Sequence, residues 1–194
     1  VVQQYELPRH FLDALIEGFA WDAKGKTYNS IEEVHEYAAR VAGSVGAMMC
    51  WIMGLQNIET LERACEMGVA MQLTNIARDV GADAALGRSY LPRRWLIEAG
   101  VQPEEWLANP ESSPGIQIVV ARLLAEADRL YKQSQHGIAA LPPCQGRVRQ
   151  CRFPALPMLP PYSSAAARHL FPQWLFHSYD LRQAPLHGDR CAKF

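Results

Sequence analysis

The chain of 194 residues lacks the features that would mark most other classes of protein. No apolar run reaches the roughly 18 residues needed to span a bilayer, and no basic stretch at the N-terminus leads into an apolar segment and a cleavage site. The expectation is therefore a cytoplasmic protein. Cysteines are few and odd in number, at 50, 65, 144, 151 and 191, and none forms a CxxC pair. That spacing disfavours a disulfide framework and a structural zinc site, leaving reduced thiols as the simple expectation. His10, His35 and His136 have no acidic or cysteine partners at ligand spacing, and read as surface or boundary residues. Alternating strand patterns are absent, as are a serine-nucleophile motif and a glycine-rich phosphate loop after a strand. The net charge is only −1, and the seven cations of the last 53 residues show no helical periodicity of the kind that reads as a nucleic-acid or membrane-surface patch.

What is present is helical. Pro8 opens a first helix carrying Phe11, Leu12, Leu15, Ile16 and Phe19, and Gly25 ends it. Ser30, with Glu33 three residues on, predicts a capping box that starts a second helix running to about Met53. Asn57 opens a third helix to about Asp83, a loop follows to Pro92, and a fourth long helix runs from about Gly115 to His136. Arg122, Asp128 and Tyr131 lie on that last helix, beside a core stripe of Leu123, Leu124, Ala127 and Leu130. They read as surface positions.

Character changes near Leu141. Residues 1–141 carry 18 acidic and 12 basic side chains, whereas residues 142–194 carry 2 and 7, so a balance of −6 is followed by one of +5. Eight of the thirteen prolines fall in that last segment, which excludes a long helix between Pro142 and Pro161. Two units are expected: a helical one over 1–142 and a Pro-rich basic tail over 143–194.

Chemistry concentrates between Gln72 and Pro92, in the run QLTNIARDVGADAALGRSYLP. At about 100° per residue, Gln72, Asn75, Asp79 and Asp83 share a narrow stripe beside the apolar stripe of Val69, Leu73, Ile76 and Val80. Asp79 and Asp83 are separated by roughly 6 Å of helical rise, so both can face one cavity and share a hard cation. Asp residues near a helix end are more often solvated or bonded to local backbone, and that reading competes here. The amides at Asn75 and Gln72, and the loop Gly87, Arg88, Ser89, Tyr90, weigh against it. Arg88 offers a planar fork for phosphate oxygens, and magnesium characteristically binds through one or two carboxylates plus substrate phosphates. Arg78 points nearly opposite the apolar stripe and reads equally well as solvated.

The second helix repeats small residues at Ala42, Gly43, Ser44, Gly46 and Ala47. Each glycine inside a helix costs about 1 kcal/mol relative to alanine, so two of them need a reason. Close helix packing and room for a long apolar chain, walled by Met48, Met49, Trp51 and Met53, are both open.

Three blocks carry a family resemblance: NIARDVGADAALGRSYLPRRW, LPRHFLDALIEGFAWDAKGKTY with its D-x-x-I-x-G-x-x-x-D pattern from Asp13 to Asp22, and YAARVAGSVGAMM from Tyr37 to Met49. Together, from about Leu7 to Pro142, they resemble the squalene and phytoene synthases, the head-to-head trans-prenyl synthases. The resemblance implies an all-α isoprenoid-synthase-type bundle, incomplete in this chain. It implies condensation of two geranylgeranyl diphosphates to phytoene through a cyclopropyl diphosphate, without nicotinamide. A squalene-type enzyme using farnesyl diphosphate and a non-catalytic assembly-factor relative are the alternatives. Asp79, Asp83 and Asn75 are implied to hold Mg2+, with Mn2+ as a substitute, and Tyr37 to stand beside the reacting carbocation. Gln72, Asn75, Arg78, Arg88, Tyr90, Val41 and Gly46 are implied substrate contacts. Arg40 stands where many relatives have Tyr or His. The family's first aspartate-rich motif would lie upstream of Leu7, so half of the metal site is expected to be missing, which puts the fragment's own activity in question. The tail from about Cys144 resembles nothing in the family, and a shifted frame or a misjoined segment is the expectation for it. Greasy substrates imply peripheral contact with the inner membrane, and oligomeric state is left open.

Overall fold

A computed structural model of the protein describes residues 2–138. The expectations for the 143–194 tail, for Cys144, Cys151 and Cys191 and for the His136 side chain lie outside the described residues. Among the described residues there are helices and no strands.

Helix α1 spans Arg9–Ala23 behind Pro8, whose fixed φ of −59° suits the start of a helix. It ends where Gly25 adopts φ +64°, so that the Gly25 and Lys26 amides donate to the Asp22 and Trp21 carbonyls. Helix α2, Ile31–Ala38, starts after Ser30, but the expected capping box takes another form. No Ser30 side-chain bond caps the helix; instead Glu33 reaches back to accept from the Asn29 amide at 2.7 Å. The single second helix expected to Met53 is in fact interrupted. A π-helical turn, Ala39–Gly43, separates α2 from α3, Ser44–Ile52.

Close approach is the reason small residues cluster in this stretch. A Cβ on Gly18 of α1 would lie 2.5 Å from the Val41 methyl, so Val41 seats in the notch that Gly18 leaves. Helix α4, Ile58–Ala85, crosses the other side: Gly46 meets the Ala64 carbonyl, and Gly68 of α4 meets the Ala42 carbonyl, with no space for a Cβ at either point. Of the two uses weighed for these glycines, close packing is the one the structure displays, and Gly46 faces α4 rather than an open chamber.

The 28 residues of α4 make it a rod of about 42 Å that carries the fold. Its start is capped as expected, with the Asn57 side chain accepting from the Thr60 amide at 2.8 Å. Its inner face, Val69, Leu73, Ile76 and Val80, packs on Ile116, Val119, Val120 and Leu123 of α7, Pro114–Ile138. Two short helices that the sequence reading treats as connection lie between these rods. They are α5, Arg93–Glu98, and α6, Pro103–Ala108. Leu91 and Leu96 are buried beside Tyr28, and the Arg93 amide donates to the Tyr28 carbonyl, so this connection is pinned to the loop after α1.

Candidate active site

Four side chains from three different parts of the chain meet at the C-terminal end of α1. Asp22, in its last turn, accepts from the Tyr37 hydroxyl at 2.9 Å through one oxygen and from the Tyr90 hydroxyl at 2.9 Å through the other. Tyr37 comes from the end of α2, Tyr90 from the loop after α4. Their rings stack at 5.1 Å, and the fully buried Tyr28 ring lies 5.3 Å from that of Tyr37. Burial removes phenolate solvation, so the hydroxyls of Tyr28, Tyr37 and Tyr90 are all held above the usual phenol range, reinforced by the Asp22 charge. These are neutral donors. The Tyr28 hydroxyl is buried with no hydrogen-bond partner.

The acidic stripe of α4 lies next to this cluster. The Asp83 carboxyl is pushed up to about 6, first by burial and then by the charge of Asp79, with Asp22 adding to it and Arg88 opposing it. Asp79 is more open and is gripped bidentately by Arg78, at 2.8 and 2.7 Å. Asn75 and Gln72 are half-buried further up the same stripe. After Ala85 the chain turns back through Gly87, at φ +71°, with the Arg88 amide donating to the Asp83 carbonyl at 2.9 Å. Only a residue that tolerates positive φ makes this turn cheaply, and it places the loop beside the carboxylate. Asp83, Arg88, Ser89 and Tyr90 thereby line one cleft with Ile76, Val80 and Trp106.

The expected site residues therefore divide. Asp83, Arg88 and Tyr90 share the cleft, and Tyr37 joins them through Asp22. Asp79 lies close enough to Asp83 to raise its pKa. Gln72 and Asn75 keep their stripe but do not line that cleft. Arg78 is 44% exposed and committed to Asp79, in keeping with the solvated reading of its helix position. Val41 and Gly46 are engaged in helix packing against Gly18 and Ala64.

Two residues of this arrangement had no role in the sequence reading. Asp22 closes the D-x-x-I-x-G-x-x-x-D block, and Tyr28 follows it by six positions. The signal available was the i, i+4 spacing of Gly18 and Asp22, which puts the carboxylate on the face of α1 that touches the next helix.

The oxygen donors along α4 are hard ligands suited to magnesium, and a half-buried carboxyl whose pKa is raised by its neighbours is a place where a cation would relieve repulsion. Among the described residues, however, no group of three or more His, Cys, Asp or Glu side chains is arranged to hold a metal ion by itself. What α4 presents is one side of a cation site.

The family model for squalene/phytoene synthase matches residues 1–159. This chain belongs to that family. The match runs past Pro142, where the sequence reading expected resemblance to stop. The chain is 51% identical over 142 residues to the phytoene synthase of Rhodobacter capsulatus, covering 73% of this chain and 42% of that protein. It is 54% identical over 142 residues to the phytoene synthase of Cereibacter sphaeroides, covering 73% and 40%. Among solved structures it is similar to the squalene synthase HpnC of Alicyclobacillus acidocaldarius, at 25% identity and a TM-score of 0.68 over 73% of this chain and 54% of that one. It is also similar to a dehydrosqualene synthase crystallised with a ligand, at 28% identity and a TM-score of 0.63 over 71% and 48%. The helices are thus those of the isoprenoid-synthase bundle. The chain spans less than half the length of the phytoene synthases it matches.

Proposed function

We propose that this chain is the part of a phytoene synthase that carries the second acidic helix and its Arg88 loop, and that the intact enzyme joins two geranylgeranyl diphosphates head to head. The observation that carries the reading is the half-buried Asp83 beside Asp79, with Arg88 and Tyr90 in one cleft. Identity of 51% and 54% over 142 residues to two proteins named phytoene synthase supports the longer prenyl chain over the farnesyl one. Asp79, Asp83 and the Asn75 amide oxygen would hold magnesium, which would supply charge to stabilise a departing diphosphate.

The chain's own groups then divide the remaining work. Arg88 is placed to hydrogen-bond the diphosphate oxygens through its exposed fork. Arg78 stays paired with Asp79 on the same helix. Tyr90, which lines the cleft, presents an apolar ring whose quadrupole can stabilise an allylic cation and a neutral hydroxyl in place of a nucleophilic phenolate, and the buried Tyr37 and Tyr28 rings back it. Asp22 fixes two of those hydroxyls. Peripheral membrane contact belongs to this reading because both substrate tails and product are apolar; no described helix is long and apolar enough to cross a membrane.

The test is a chimera in which residues 7–142 replace the matching stretch of the Rhodobacter capsulatus phytoene synthase, assayed with geranylgeranyl and farnesyl diphosphates. Magnesium-dependent phytoene formation is expected, with Asp83→Asn lowering kcat by roughly 10²-fold or more, because it weakens the hold on the cation that would stabilise the leaving group. Turnover of farnesyl diphosphate alone, or an unaffected Asp83→Asn chimera, overturns the reading.

A further inference from the structure

Of the twelve Lys and Arg side chains among the described residues, eight are ion-paired with carboxylates within the fold. The four without such a pair there are Lys24, Lys26, Arg88 and Arg94. Two of these four, Lys26 and Arg88, line one open cleft between the loop after α1 and the loop after α4, together with Thr27, Ser89 and Tyr90. Unpaired cations that gather at one concavity, in a fold that pairs most of the others, mark where a negative charge from outside is received.

The remaining polar groups of the cleft agree. The Ser89 hydroxyl is buried and has no hydrogen-bond partner in the protein, and it lines this cleft. An orphaned donor of this kind is costly unless something accepts from it. Lys26 is also held in position: its ammonium rests 3.2 Å over the centre of the Trp21 ring and 5.6 Å from that of Tyr28, which limits its freedom without neutralising it. Asp22 also borders the cleft, and each of its oxygens accepts from a tyrosine hydroxyl, so part of its acceptor capacity is taken up there. Gly25 and Gly87, both at positive φ with nothing within 4 Å of where a Cβ would stand, let the two loops turn at the rim and keep the mouth open.

We propose that this cleft is a metal-independent oxyanion site for a diphosphate group, formed by Lys26, Arg88 and the Ser89 hydroxyl and distinct from the cation site on the Asp79–Asp83 face. The proposal rests on the prenyl-diphosphate reading for the identity of the anion, and its chemistry is that of the diphosphate itself. The group it receives is either the head of a prenyl diphosphate or free pyrophosphate. Arg88 stands at the junction of the two sites, since it also borders the Asp83 cleft. A diphosphate leaving the acidic helix therefore has a second set of donors within one loop.

The purified 194-residue chain tests this in EDTA, by titration calorimetry with inorganic pyrophosphate and with geranylgeranyl diphosphate in parallel. EDTA-resistant binding of at least one of them is expected, with Lys26→Gln weakening it at least tenfold and Ser89→Ala several-fold. Lys24→Gln, an unpaired lysine outside the cleft, serves as the control and is expected to leave it unchanged. Tighter binding of the prenyl compound assigns the site to substrate, and equal binding of pyrophosphate assigns it to the released product. Asp79→Asn and Asp83→Asn are expected to spare the EDTA-resistant binding, so failure of the magnesium-dependent reading and failure of this one are separable. Absence of binding in EDTA, or a Lys26→Gln variant that is folded by circular dichroism and binds as tightly as the parent, overturns the proposal.

Discussion

Asp22 shows how much a single side chain organises here. It is the one acceptor shared by two buried phenols that reach it from separate parts of the chain, and through them it ties the ends of α1 and α2 to the loop after α4. Hydrogen bonds to a charged acceptor contribute roughly 1.5–3 kcal/mol each, more than neutral ones, because the carboxylate strengthens the donor's attraction. Asp22→Asn keeps the shape but removes the charge and forces one amide group to face a phenol as a second donor. A loss of about 2 kcal/mol in unfolding free energy is expected, measured by urea denaturation of the full chain. A denaturation midpoint equal to that of the parent would show that the two bonds carry no net stability. The placement of Asp83 near Asp79 was legible at this scale, because an Asp at i+4 from another on the edge of an apolar stripe carries a direct geometric meaning. Asp22 was not, because its partners lie 15 and 68 positions away and no local periodicity encodes such contacts.

Helices with caps and clear apolar stripes were legible as elements. Pro8, Asn57 and the stripe through Leu73, Ile76 and Val80 all act locally, and the helices begin and pack where those signals stand. The π-turn at Ala39–Gly43 was not legible, since it arises from a tertiary demand. Val41 must enter the Gly18 notch on one side while Gly43 lies against Cys65 on the other, and one wide turn lets both faces be met. The short helices α5 and α6 escaped notice because six residues are too few to show a period. The glycines of the α3–α4 crossing give this scale its prediction. By propensity alone, Gly68→Ala in the middle of α4 would stabilise by about 1 kcal/mol. A Cβ there has no space, because the Ala42 carbonyl is backbone and cannot rotate aside. Overpacking of this kind costs typically 1–3 kcal/mol, so steric cost wins and net destabilisation is expected. Thermal unfolding of Gly68→Ala above that of the parent would show that the helices can separate without loss.

At the scale of the whole molecule, the described half-bundle closes a core between α4 and α7 but leaves large apolar side chains such as Ile16, Phe19 and Leu86 more than half exposed. The composition announced enough apolar residues for a core, but which of them lie inside depends on which helices are neighbours, and that is a property of the assembled fold. The junction of α2 with α7 decides how stability responds to pH. His35 on α2 has Glu126 of α7 at 3.3 Å from its Nε2, yet that nitrogen is buried without a hydrogen bond. Burial is the largest influence and lowers the His35 pKa; Glu126 and Glu32 oppose this, while Arg129 adds to it. Glu126 is itself held below the usual carboxylate range by its bond to Arg129, which takes up much of its charge. A histidine whose pKa is lower folded than unfolded takes up its proton more readily in the unfolded chain. Its contribution is therefore intact above about pH 6.5 and is lost as pH falls below that value, with a slope of at most about 1.4 kcal/mol per pH unit for one proton. Between pH 7.5 and 5.5 the parent chain is expected to lose more stability in urea than His35→Gln, which has nothing to titrate there. Equal losses in the two proteins would show that the imidazole is as easily protonated between the helices as in water, and that the α2–α7 junction does not sense pH.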